Sequence, residues 1–243
     1  MQELTRNQMA ALVAADLPPG AVVNLGIGIP TLVTKHLTAE RCVFLHSENG
    51  ILGMVEPGPG VPPDPDLINA SKQFVALMPG AAIFDHASAF AMMRGGHIDI
   101  SVLGAYEVAA NGDIANWSIG QDDLLPAVGG AMDLAVGART VWVMMEVLTR
   151  DGNSRLLDAC TLPLTGGRVV TRVYTNIGVF AVQDNAFTPL ALVDGLDVKG
   201  LGRYVSGPIK LAGDIALIRY PGADNDPDIT ARIDGHATPA GSQ

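Results

Sequence analysis

The chain has 243 residues, 48% of them apolar, enough for one large α/β domain with a sizeable core. Its formal net charge of −10 argues against a nucleic-acid role, which needs a basic surface, yet local Lys/Arg and backbone amides can still hold an anionic cofactor. The start Met1-Gln2-Glu3-Leu4-Thr5-Arg6 lacks a signal-peptide core and no apolar run is of membrane-spanning length, so a soluble cytoplasmic protein without membrane contact is expected.

Residues 4–16 place Leu4, Ala11, Leu12 and Ala15 near one helical face, ending at Leu17-Pro18-Pro19-Gly20. Ala21–Leu25 reads as a buried strand running into Gly26-Ile27-Gly28-Ile29-Pro30, with Pro30 placed to start a helix through His36. A second strand, Cys42–Leu45, delivers a sharp turn at Ser47–Gly50. Five prolines make 55–65 a loop. Phe74–Leu77 reads as a short strand, Ala87–Met93 as a helix stopped by Gly95-Gly96, and Ile98–Leu103 as a buried strand. Met132–Ala138 is a helix feeding the strand Thr140–Met145, and β-branched 169–182 holds strands interrupted at Asn176 and Gly178. Such alternation predicts an α/β fold, a mostly parallel sheet with helices on both faces. From Gly213 the composition turns polar and Pro/Gly-rich, so a domain over 1–212 and a tail over 213–243, ordered at most in part, are expected. Cys42 and Cys160 stand alone in apolar segments without a CxxC pattern and are expected as buried reduced thiols.

The sharpest chemical feature is His46-Ser47-Glu48-Asn49-Gly50, because ligands of open parallel sheets bind at the carboxyl ends of strands. There Glu48 reads equally as a solvent-facing turn residue or as an exposed nucleophile or base. Gly26-Ile27-Gly28 resembles half of a dinucleotide fingerprint, but Thr31 stands at the third glycine position. A glycine turn that lets substrate approach the backbone fits better, with Asn24 beside it. Gly129-Gly130 enters a helix and presents backbone N–H groups of the kind that stabilise an oxyanion, or forms a plain loop-to-helix junction. Lys72 follows the Pro-rich loop as a phosphate or carboxylate contact, or a merely solvated side chain. The five histidines lack metal-ligand spacing, and neither a GxSxG elbow nor a P-loop ending is present.

Taken in order, these segments resemble family I CoA-transferases. The resemblance spans roughly residues 4–195 and rests on 44–53 around Glu48, Val23–Pro30, Asp66–Ala70 with Lys72-Gln73, Phe90–His97, Gly112–Trp117, Gly129–Leu134 and Cys160–Gly166. Within the family the chain is most similar to B subunits of 3-oxoacid CoA-transferases. Pro126–Gly130, Val143-Met144-Met145 and Leu148–Gly152 lean toward 3-oxoadipate and succinyl-CoA as substrates, while acetoacetate stays open because Val147 follows Glu146. The resemblance implies Glu48 as the nucleophile and a glutamyl-CoA thioester as intermediate. It also implies Asn24, Gly129 and Gly130 at the oxyanion and substrate, Gly26, Gly28 and Lys72 near CoA, and no metal. A coenzyme A thioester is then a substrate rather than a resident cofactor. An A subunit completing an A2B2 assembly is the implied partner. An acyl-CoA hydrolase on the same fold is the competing reading, and the tail beyond Leu196 departs from the family pattern.

Overall fold

The computed structural model describes residues 1–120, 127–219 and 232–234. Helix α1 (Arg6–Asp16) begins at Thr5, whose hydroxyl accepts from the Gln8 N–H while the Gln8 side chain accepts from the Thr5 N–H, satisfying two orphan donors at once. Strand β1 (Val22–Leu25) leads through the glycine turn to a 3₁₀ helix at Ile29–His36. The expected helix is present there in its tighter form. Thr31 and Thr34 donate their hydroxyls to the carbonyls three residues back, at 2.8 and 2.9 Å, which favours the three-residue turn.

Strand β2 (Phe44–Ser47) turns directly into antiparallel β3 (Ile51–Val55), which pairs with β4 (Ala76–Ile83). The sequence suggests a short strand over Phe74–Leu77. At the edge of the sheet β4 continues through Pro79-Gly80, where the pairing with β3 shifts register and residues 78–81 have no register partner, so the missing proline donor costs no ladder bond. Helix α2 (His86–Arg94) follows, then β5 (Ile100–Leu103), β6 (Glu107–Ala109), β7 (Ile114–Ala115), helix α3 (Ala131–Gly137), β8 (Thr140–Met144) and β9 (Leu156–Leu157). The chain continues with β10 (Val170–Thr175), β11 (Gly178–Gln183), β12 (Ala186–Val193), β13 (Ala216–Arg219) and β14 (Arg232–Asp234).

Eleven strands form one sheet in the order β14-β13-β12-β11-β10-β8-β5-β1-β2-β3-β4, while β7-β6-β9 make a small second sheet. The five central strands β10, β8, β5, β1 and β2 run parallel, as the apolar strand interiors require, and antiparallel strands extend both flanks. One face packs Val23, Val102, Trp142 and Met144 under α1 and the 3₁₀ helix. The other packs Leu103, Val141, Val143 and Met145 with Met93 of α2 and Leu134 of α3. Arg94 and Asp133 tie these two helices by an ion pair at 2.7 Å.

Residues beyond Ala212, read from composition as a tail, supply β13, parallel to β12, and β14. The rest of that segment, 220–231 and 235–243, lies outside the described residues, as does Pro126. Neither cysteine fits the buried-thiol expectation. The strand starts at Phe44, which leaves Cys42 exposed in the loop before it, and Cys160 is half-buried. Burial, with Glu107 and Asp113 nearby, pushes the Cys160 thiol up to about 12, so it stays protonated and is a poor nucleophile. No helix among the described residues is long and apolar enough to cross a membrane.

Candidate active site

The turn that carries Glu48 is built by its neighbours. The Gly50 N–H donates to the Ser47 carbonyl at 2.9 Å, closing a four-residue turn with Glu48 and Asn49 at its tip. Gly50 has φ +106, and the Phe84 carbonyl oxygen occupies the space a Cβ there would need. Only glycine fits that position. The Phe84 N–H returns a 2.9 Å bond to the Gly50 carbonyl, and His86 donates through Nδ1 to the Glu48 carbonyl at 2.9 Å. On the other side, Ser47 Oγ donates to Asn49 Oδ1 at 2.6 Å and accepts from the Ala70 N–H at 3.0 Å, while Asn49 donates to the Ile68 carbonyl at 2.7 Å. The Glu48 backbone is therefore held from both sides, whereas no described group hydrogen-bonds its half-buried carboxylate.

Beneath the turn lies a buried polar row. Ser101 of β5, Asn24 of β1 and His46 of β2 are register partners across three parallel strands and are all nearly or fully buried. Asn24 donates its side-chain amide to both His46 Nδ1 and the His46 carbonyl, each at 3.1 Å. The Nδ1 acceptor role leaves the ring proton on Nε2, which has no partner among the described groups. Burial lowers the His46 pKa to about 4, so the ring is neutral at physiological pH. The proposed oxyanion role of Asn24 meets a geometric fact here: its amide hydrogens are committed to His46.

Glu48 opens onto a cavity of about 660 Å³ at the carboxyl ends of β1, β2, β5 and β8. Of the residues singled out in the sequence, Asn24, Gly26, Gly28, Glu48, Gly129 and Gly130 all line it. Lys72 does not. It is exposed at φ +62 in a tight turn closed by its own N–H on the Asn69 carbonyl at 2.9 Å, while Ser71 beside it reaches the wall. Gly28 supplies φ +97 at the glycine turn. A Cβ on Gly130 would collide with the Glu48 carboxylate and approach Phe90 Cζ to 3.2 Å, so this glycine makes the space in which the carboxylate sits. Phe90 is held between the His86 ring, 4.5 Å between centroids, and the Arg94 guanidinium, 5.6 Å above its ring.

Sequence reading gives no site role to three residues found here. His86 and Phe90 lie four apart on one helix face, a legible spacing, but nothing local says that this face meets the Glu48 turn. Arg155 also lines the cavity, from a segment more than a hundred residues away in sequence, and carries no motif.

The model of the coenzyme A transferase family matches residues 6–198. This chain belongs to the coenzyme A transferase family. It is 51% identical over 209 residues to the B subunit of the 3-oxoadipate CoA-transferase of Pseudomonas putida, covering 86% of this chain and 97% of that protein. It is also 45% identical to the B subunit of the succinyl-CoA:3-ketoacid coenzyme A transferase of Helicobacter pylori, over 76% of this chain and 88% of that one. Among solved structures, an acyl-CoA transferase from E. coli, crystallised as a thioester complex with CoA, superposes with a TM-score of 0.66 at 18% identity. That match covers 90% of this chain and 43% of the E. coli chain, and it shows a shared fold. The CoA-transferase family and the α/β fold expected from the ordered motifs are thus both found. CoA transfer is the activity class, and a CoA thioester is a substrate of it.

Proposed function

We propose that this chain is the nucleophile-bearing subunit of a transferase that moves CoA from succinyl-CoA to a 3-oxoacid, with 3-oxoadipate preferred, through a thioester on Glu48. The observation that carries the reading is the Glu48 carboxylate: half-buried, bare of described partners, on a braced turn, and opposite a glycine that leaves it room. The names of the relatives support the substrates, and the resemblance of the motifs supports the role.

The chemistry follows from these groups. A Glu48 carboxylate oxygen attacks the thioester carbonyl carbon of the donor and the CoA thiolate leaves, giving a mixed anhydride. The thiolate then attacks the Glu48 side-chain carbonyl carbon and expels the donor as its free carboxylate, leaving a Glu48–CoA thioester. The acceptor carboxylate runs the same two steps in reverse, so the cycle is ping-pong and consumes no water. Each tetrahedral intermediate carries an oxyanion, and the backbone N–H groups of Gly129 and Gly130 are its proposed donors. Removing one such donor typically costs ~10²–10³ in rate. Gly26 and Gly28 let the pantetheine arm approach the backbone, and Asn24 holds His46 and thereby the strand that presents Glu48. Exposed Lys72 is proposed at the outer end of CoA, beyond the cavity wall.

An anhydride survives only where water is excluded. The cavity is open on this chain, with Ile27 71% exposed at its rim, and we propose that an A subunit closes it in an A2B2 assembly. The test uses that two-subunit complex. Incubation with succinyl-CoA followed by borohydride should reduce the side chain of Glu48 to an alcohol, seen as a mass change of its peptide. Glu48→Gln should remove both the label and the transfer, and acyl-CoA should form one-for-one with acceptor consumed. An unlabelled Glu48 in an active complex, or free CoA accumulating in place of product, would overturn the proposal.

A further inference from the structure

Two charged side chains line the cavity among the described residues: Glu48 and Arg155. Every other lining side chain is neutral. Arg155 is half-buried and forms no ion pair with a described residue, in contrast to Arg6, Arg94, Arg139 and Arg172. A half-buried guanidinium on the cavity wall, without an ion-pair partner among the described residues, is available to pair with an anion bound there.

The backbone at this point is fixed. The Arg155 N–H donates to the Val147 carbonyl and its own carbonyl accepts from the Val108 N–H, both at 2.9 Å. On either side, Leu156 is fully buried and Ser154 donates its hydroxyl to the Tyr204 carbonyl at 2.6 Å. Successive side chains of an extended segment point in opposite directions, so the flanking pair is turned inward and Arg155 toward the cavity. Two further lining side chains are also held: Asn116 donates to the Gly104 carbonyl at 3.0 Å, and Trp117 donates to the Leu164 carbonyl at 3.1 Å.

We infer that Arg155 binds the remote carboxylate of a dicarboxylic acyl group while the reacting carboxyl lies at Glu48. This rests on the transferase reading of Glu48 and goes beyond it by naming the residue that selects the substrate class. A planar guanidinium fork meets a carboxylate with two parallel hydrogen bonds, and such charge-assisted pairs are stronger than neutral ones. A monocarboxylic 3-oxoacid reacts at the Glu48 thioester and leaves Arg155 without a counter-ion. A dicarboxylic one reacts there and supplies a second carboxylate to pair Arg155.

The test is made on the complex with its cognate A subunit, using a dicarboxylic and a monocarboxylic 3-oxoacid as acceptors. In Arg155→Met the ratio of the two kcat/KM values should collapse by about 10–100-fold, the range for a lost hydrogen bond to a charged group, with Arg155→Lys in between. A ligand-side measurement needs no variant: in the wild type, monomethyl succinate should be a poorer acceptor than succinate by the same factor. Equal losses for both acceptors would place Arg155 on CoA and overturn the inference, as would an ester that serves as well as the acid. Failure of the Glu48 reading looks different, because Glu48 would then stay unlabelled in an exchanging complex, or free CoA would accumulate with every acceptor.

Discussion

At the scale of single residues, Glu48 is distinguished by what its neighbours leave undone. Ser47, Asn49, Gly50 and His86 take up the backbone and turn contacts, and none reaches the carboxylate among the described groups. Gly130 makes the sharper case, because its φ of −68 and ψ of −11 suit any residue. Its lack of a side chain is therefore a matter of space for Glu48, not of backbone freedom. Gly130→Ala should keep the melting temperature within a few degrees, yet displace the carboxylate and lower kcat by about 100-fold, as an ångström-scale misplacement of a reacting group does. Transfer assays with calorimetry on the same complex check this, and wild-type activity in a folded variant would show that the glycine is not needed. Asn24 teaches the opposite lesson. Its residue type suggests a donor to substrate, and only the His46 contacts show where its hydrogens go.

At the scale of elements, the turn between β2 and β3 is the device that matters. Gly50 combines a positive φ with the Phe84 carbonyl packed against it, while Gly28 has a similar φ of +97 and nothing within 4 Å of the place a Cβ would take. The pair separates backbone strain from collision. Gly28→Ala should cost about 1–3 kcal/mol, the strain of a non-glycine residue at φ +97 and ψ −130, and Gly50→Ala clearly more, above about 3 kcal/mol. Urea unfolding midpoints measure both, and equal losses would show that Phe84 moves aside. Element types were largely legible: α1, α2, α3 and the central strands follow from periodicity and breakers. The extent of the edge strand β4 was not, because Pro79-Gly80 is tolerated there only by a register shift that leaves residues 78–81 out of the pairing with β3. The strands β6, β7 and β9 are two or three residues long and carry too little pattern to be read.

At the scale of the whole molecule, the polar row Ser101–Asn24–His46 crosses the parallel centre of the sheet and couples folding to pH. The folded His46 titrates at about 4 and the unfolded ring near its ordinary 6.5. Between those values the unfolded chain holds the extra proton, so stability is full above the unfolded value and falls as pH drops through this window. Between pH 7.5 and 5 the loss from this group is about 2 kcal/mol by linkage, an upper figure. His46→Gln keeps an acceptor for Asn24 and should show a correspondingly flatter decline in denaturant stability over the same range. Identical slopes in variant and wild type would assign the acid sensitivity elsewhere.

The sequence by itself determined the class of the fold, the family, and the position of Glu48 at a strand's carboxyl end. Those properties are written in local apolar period, glycine placement and contiguous motifs. Tertiary structure alone decided which polar groups were spent and which were left to act. Asn24 is engaged by His46, Lys72 stands outside the cavity, and Arg155 enters it from a segment without a motif. It also placed Gly130 against Glu48, 82 positions apart in a chain where 48 and 130 share no local signal. The reason is physical: the burial and pairing of a charge depend on the segments that pack around it, and those are brought together only when the sheet assembles.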